Sequence, residues 1–106
     1  MIEQRRSKRF ELRLPIEVTR KSFQPVSVSG QTRNLSAGGV LFATNLDVEI
    51  GESIEYVIHF PTESPEGTSV NLHCLGKVVR FEKTLSDDGE PVCLVAATLE
   101  RYEFQR

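Results

Sequence analysis

Apolar residues recur at every second position along almost the whole chain, and that period leaves little room for any element but the β-strand. Phe10, Leu12, Leu14, Ile16 and Val18 alternate with Glu11, Arg13, Pro15, Glu17 and Thr19. Successive strand side chains point to opposite faces, so this run predicts one face on a core and one in water. Pro15 falls in the outward set and has no N–H to donate, which predicts an edge or bulged strand there. A second strand is expected over residues 26–33, interrupted by Gly30, and Val40-Leu41-Phe42-Ala43 forms a third. Ile54, Tyr56, Ile58 and Phe60 alternate with Glu55, Val57 and His59 in a fourth, which Pro61 closes. Val70, Leu72, Cys74, Gly76 and Val78 predict one face of a long fifth strand, with Val79 and Phe81 on the other; residues 92–99 form the sixth.

Turn chemistry separates these runs. Residues 34–39 are expected to be a turn, residues 46–51 a connection, and residues 62–67 a polar hairpin loop. Ser86-Asp87-Asp88-Gly89 carries the Asp-Gly pair favoured in tight hairpins. The tail, residues 100–106, is expected to make one or two helical turns, with Tyr102 or Phe104 packing back. No helical stripe exceeds two turns, which excludes coiled-coil and helix-turn-helix folds. The fold class expected is all-β, a six-stranded antiparallel β-barrel with a short C-terminal helical turn. A chain of 106 residues makes one domain. Residues 1–9 are expected to be a flexible segment, 10–99 the barrel and 100–106 the tail. So small a core leaves no room for a deep cavity, so a ligand site is expected on the surface.

Charge is unevenly placed. Residues 1–33 hold eight Lys or Arg against three acids, whereas residues 34–106 hold five against twelve. The total of −2 argues against sequence-blind binding of a nucleic acid polymer, and a local cation cluster suits a compact anion better. Most of the eight aromatic residues fall on apparent core positions, which denies a single-stranded nucleic acid its stacking platforms. No apolar run approaches the ~20 residues of a membrane span, and the first residues carry no apolar stretch of the signal-peptide kind. The expected location is cytoplasmic, without membrane insertion, and the expected state a monomer or weak homodimer. Cys74 and Cys93 lie among apolar neighbours and are read as buried free thiols. His59, His73, Cys74 and Cys93 lack metal-site spacing, and Asp87-Asp88 reads as a hairpin turn. No nucleophile–base pair or phosphate loop appears, so no catalytic residue, metal or cofactor is expected.

Two segments break the alternation. Arg5-Arg6-Ser7-Lys8-Arg9 precedes the first strand, and Asn34-Leu35-Ser36-Ala37-Gly38-Gly39-Val40 lies between the second and third. A guanidinium fork meets phosphate oxygens bidentately, stacks on bases and matches the O6 and N7 edge of guanine. Asn34 and Ser36 are short polar groups suited to base edges or to organising the turn. Gly38 and Gly39 are expected to allow positive φ and a close backbone approach to a flat ligand.

Together, Arg5-x-x-x-Arg9 and Asn34-x-Ser36-x-x-Gly39 resemble the two motifs of the PilZ family, RxxxR and [D/N]xSxxG. Leu14-Pro15-Ile16-Glu17-Val18 looks like that family's first strand, and Gly76-Lys77-Val78-Val79-Arg80 like its GxVxR-type strand; the resemblance covers residues 3–82. It implies a PilZ-like barrel that binds the second messenger cyclic di-GMP and signals to a partner protein, as an adaptor rather than an enzyme. By position, Arg5 and Arg9 would hold phosphates and guanine faces, Asn34 a guanine edge, and Ser36 the ligand or its own turn. Gly38 and Gly39 would admit the ligand, with Arg6 a reserve phosphate contact and Arg80 a rim contact. Asn34 stands where many members carry Asp, and Val95-Ala96-Ala97-Thr98-Leu99 replaces a Gly-containing last strand. The alternative is a degenerate PilZ-like module that works through protein contacts without nucleotide.

Overall fold

The computed structural model describes residues 12–61 and 70–105. Seven strands form one antiparallel sheet: β1 (Pro15–Lys21), β2 (Gln24–Ser36), β3 (Gly39–Thr44), β4 (Ser53–Phe60), β5 (Val70–Leu85), β6 (Pro91–Thr98) and β7 (Arg101–Gln105). Their order is β4-β1-β2-β3-β6-β5-β7, and a further β4–β5 pairing closes the first six into a barrel. Closure depends on the length of β5. Its first half pairs with β4 from Val70 to Lys77, and its second half pairs with β6 from Val78 to Leu85.

The alternating apolar set fills the barrel. Ile16, Val18, Phe42, Ile54, Tyr56, Ile58, Val78 and Val95 are fully buried, and the Phe42 and Tyr56 rings lie tilted at 30° with centroids 6.1 Å apart. Fully burying a side chain of this size stabilises the fold by about 1.5–3 kcal/mol. Leu46 and Val48, in the connection before β4, are buried in the same core. The buried Tyr56 hydroxyl donates to the Thr98 carbonyl at 2.9 Å. Cys74 and Cys93 are free and buried.

Several expectations need correction. The C-terminal helical turn does not form: residues 101–105 are strand β7, paired with β5 from Asn71↔Gln105 to Leu75↔Arg101. Tyr102 and Phe104 are spaced by two, the strand period, and they stand exposed rather than packed back on the core. The first strand begins at Pro15, not Phe10, and is not an edge, since it pairs with both β2 and β4; its register with both slips between Val18 and Arg20, away from Pro15. The β4 register starts at Ile16, so the missing N–H of Pro15 falls outside that ladder. The second strand reaches Ser36, which shortens the expected turn over 34–39 to Ala37 and Gly38. Phe81 pairs with the buried Val95 and so lies on the face of Val78, not the opposite one. Of the aromatic residues, Phe23, Phe81, Tyr102 and Phe104 are exposed, so fewer serve the core than their positions suggest. The loop 62–67 lies outside the described residues.

Candidate ligand-binding cradle

Two further register slips, on β2 and β5, shape the outer surface here. On β2 the register slips between Thr32 and Asn34, so Arg33 is the extra residue. Thr32 pairs with the buried Phe42, Asn34 with Leu41 and Leu35 with the buried Val40. Strict alternation would have put Asn34 on the face of Thr32, inside the barrel. The bulge turns Asn34 and Ser36 outward and Leu35 inward. On β5 the register slips between Val78 and Arg80, with Val79 extra. Val78 pairs with the buried Ala97, and Arg80 pairs with Ala96. This second bulge turns Arg80 outward.

The result is one row across four strands. Asn34 on β2 faces Leu41 on β3, Leu41 faces Ala96 on β6, and Ala96 faces Arg80 on β5. With strands about 4.8 Å apart, the row spans roughly 14 Å. A second row, two residues along, holds Ser36, Gly39 and Thr98. Between them lies a cleft of about 420 Å³ that Asn34, Ser36, Gly38, Gly39 and Arg80 all line. That volume falls in the range of small-molecule sites. Leu41 and Ala96 give it an apolar floor, and Asn34 and Arg80 stand at opposite ends. Five positions expected to bind are therefore brought together. Leu41, Ala96 and Thr98 join them without having been expected, and only knowledge of the cross-strand register would have revealed them.

The turn between β2 and β3 is organised by Ser36. Its Oγ accepts from the Gly38 N–H at 3.3 Å and donates to the Gly39 carbonyl at 3.4 Å. The side chain of Asn34 makes no hydrogen bond among the described residues, so both ends of its amide are available. The reason for glycine differs from the expected one. Neither Gly38 nor Gly39 has positive φ; only Gly51 and Gly89 do among the described glycines. A Cβ on Gly39 would sit 2.6 Å from the Ala97 carbonyl oxygen, so close strand approach requires glycine there, whereas Gly38 faces open space.

The chain enters the barrel beside this cleft. The Leu14 N–H donates to Thr32 Oγ1 at 2.8 Å, the Thr32 N–H donates to the Leu14 carbonyl at 2.8 Å, and the Thr32 hydroxyl donates to the Leu12 carbonyl. Leu12 is thereby held against the bulge that presents Asn34. Arg33, in that bulge, has a buried Nε without a hydrogen-bond partner among the described residues. Arg5, Arg6 and Arg9 lie outside the described residues.

Other polar groups offer little chemistry. His59 Nδ1 lies 2.7 Å from Asn71 Oδ1 across β4 and β5, half-buried rather than solvated. Burial pushes the Cys74 thiol up to about 12 and raises Cys93 as well, so both are protonated at neutral pH and poor nucleophiles. No group of three His, Cys, Asp or Glu side chains gathers as a metal site among the described residues. No helix of the described residues is long and apolar enough to cross a membrane.

A family model described as the PilZ domain matches residues 3–91. No curated protein matches the chain in sequence. Among solved structures, the fold is similar to that of the Bacillus subtilis inhibitor of motility, MotI/DgrA, with a TM-score of 0.68 and 18% identity. That match covers 96% of this chain and 45% of the other, so the chain spans less than half of that protein's length. It is also similar to the PilZ domain with c-di-GMP of YcgR from Escherichia coli, with a TM-score of 0.64 and 11% identity over 93% of this chain and 79% of that one. At such identities the two structures speak for the fold.

Proposed function

The chain belongs to the PilZ domain family, and on that premise we propose that it is a cytoplasmic receptor for cyclic di-GMP that signals to a partner protein. The observation that carries this reading is the outward row from Asn34 to Arg80, built by two bulges beside the Ser36–Gly39 turn. A purine laid on Leu41 and Ala96 would bury apolar surface. The Asn34 amide would read a guanine edge with one donor and one acceptor. Arg80 would meet a phosphate or the O6/N7 edge. Gly39 keeps the floor open where a Cβ would crowd it.

Arg5 and Arg9 supply the remaining cations in this proposal, with Arg6 in reserve. Only Phe10 and Glu11 lie between Arg9 and Leu12, a span of about 10 Å at full extension, and Leu12 is tied to Thr32 beside the cradle. Mutual repulsion of the arginines favours an extended segment without ligand, and two phosphates would neutralise them and fold residues 3–9 over the barrel. Ordering costs about 1–2 kcal/mol per residue and offsets part of the charge-assisted gain, which leads to moderate affinity and a surface change that a partner can read. Amide exchange in residues 3–9 that is unchanged at ligand saturation would exclude this ordering step.

Calorimetric titration with cyclic di-GMP, with GTP and cyclic AMP as controls, tests the reading. Arg9→Ala is expected to weaken binding by about 1.5–3 kcal/mol, the worth of a hydrogen bond to a charged group. Absence of heat with the wild-type chain would leave the degenerate module, acting by protein contacts alone.

A further inference from the structure

Among the described residues, strand β7 is bonded on one side only. It continues the edge that β6 follows along β5: β6 pairs from Leu85 to Val78, and β7 takes over from Leu75 to Asn71. The break between them sits at Gly76, where a Cβ would overlap the Thr98 carbonyl oxygen. The Glu100 N–H then bonds the Leu75 carbonyl at 2.9 Å and starts β7. No described strand pairs with the far edge of β7. Among the described residues its row of backbone donors and acceptors is therefore open; shortness and two charged side chains are its protections, and it has no lysine, proline or bulge.

The side chains say what fits that edge. Tyr102 and Phe104 share one face, about 60% exposed, with their rings 6.3 Å apart and the Phe104 ring also 6.3 Å from that of Phe60. Arg101 and Glu103 share the other face, and neither has an ion-pair partner among the described residues. Opposite charges two residues apart are complementary to their own copy in antiparallel array. We propose that β7 is a self-association edge, through which two copies pair antiparallel about Tyr102 and join two barrels into one continuous sheet.

In that register Arg101 faces Glu103 of the second copy and Glu103 faces its Arg101, with the two Tyr102 rings side by side. Centring on Glu103 instead would oppose two carboxylates. Centring on Phe104 would pair Glu103 with Gln105 and leave its charge unmatched. The register one step along would place Tyr102 opposite Glu103 and Phe104 opposite Arg101. The two-fold arrangement uses each open edge once, so association stops at two.

Sedimentation velocity of the full chain over a concentration series tests this. A monomer–dimer equilibrium is expected for wild type. Arg101→Glu and Glu103→Arg should each raise the dissociation constant by about tenfold or more, because two attractive pairs become repulsive. An equimolar mixture of the two variants should restore dimers. In the mixed pair both carboxylates lie on one copy and both guanidinium groups on the other, so each cross-strand pair is attractive again. A chain carrying both exchanges should dimerise alone. Thermal melting of each variant controls for folding. A wild type that stays monomeric to about 1 mM, or reversals that leave the dimer constant unchanged, overturns the proposal. Failure of the mixture to dimerise overturns the register. Neither result depends on cyclic di-GMP.

Discussion

Thr32 is fully buried where the incoming chain meets the β2 bulge, and its hydroxyl serves Leu14 and Leu12 at once. Thr32→Val keeps the shape but leaves the Leu14 N–H unpaired, and the expected loss is about 1–3 kcal/mol of unfolding free energy in urea titration. Cys74 gives a pH signature. Burial raises its pKa from 9.0 to about 12, so between those values the unfolded state carries fewer protons than the folded one. Stability is therefore complete below pH 9 and falls as pH rises towards 12. Unfolding measured at about pH 8 and about pH 10.5 should show that fall, and Cys74→Ala should reduce it, the remainder coming from Cys93 and Tyr56, whose pKa values burial also raises. An equal slope in the variant would assign the loss to other groups.

Among the elements, the β1–β2 hairpin carries a cost its residues do not advertise. Ser22 and Phe23 both take positive φ, 49° and 68°, without the Asn-Gly chemistry that such mirror-image turns favour. Phe23 is 80% exposed and returns no packing. Phe23→Gly is expected to raise stability by about 1 kcal/mol, less the entropy gained by the unfolded chain; a lowered melting temperature would contradict it. The six barrel strands were legible because long period-two runs such as Ile54–Phe60 admit one reading. The bulges were not, since a single extra residue leaves no mark in a pattern that tolerates Val78-Val79 as readily as one inward valine. Strand β7 was not legible either, because five residues at the end of the chain carry too short an alternation to outweigh their polar, helix-compatible composition. The site residues on β2 and the turn were legible as a motif, while their direction in space was not.

At the scale of the molecule, positive charge is concentrated in the first 33 residues, and the rest of the chain carries an excess of acids. The cleft is lined by neutral Asn34 and cationic Arg80. Affinity for a doubly charged ligand there is expected to fall with added salt, as surface charges are screened beyond about 10 Å at 0.1 M; a salt-independent dissociation constant would contradict an arginine-led site. The turn is also tied to the root of β7, because the Leu99 N–H donates to the Gly38 carbonyl at 3.1 Å. The account stands on the row from Asn34 to Arg80 being the surface that cyclic di-GMP covers. Backbone amide chemical-shift mapping of the wild-type chain during titration with the ligand tests it most directly. The largest changes should fall on Asn34, the Ser36–Gly39 turn, Arg80, Ala96 and Thr98, whereas changes confined to β1 and β4, with the row silent, would contradict it.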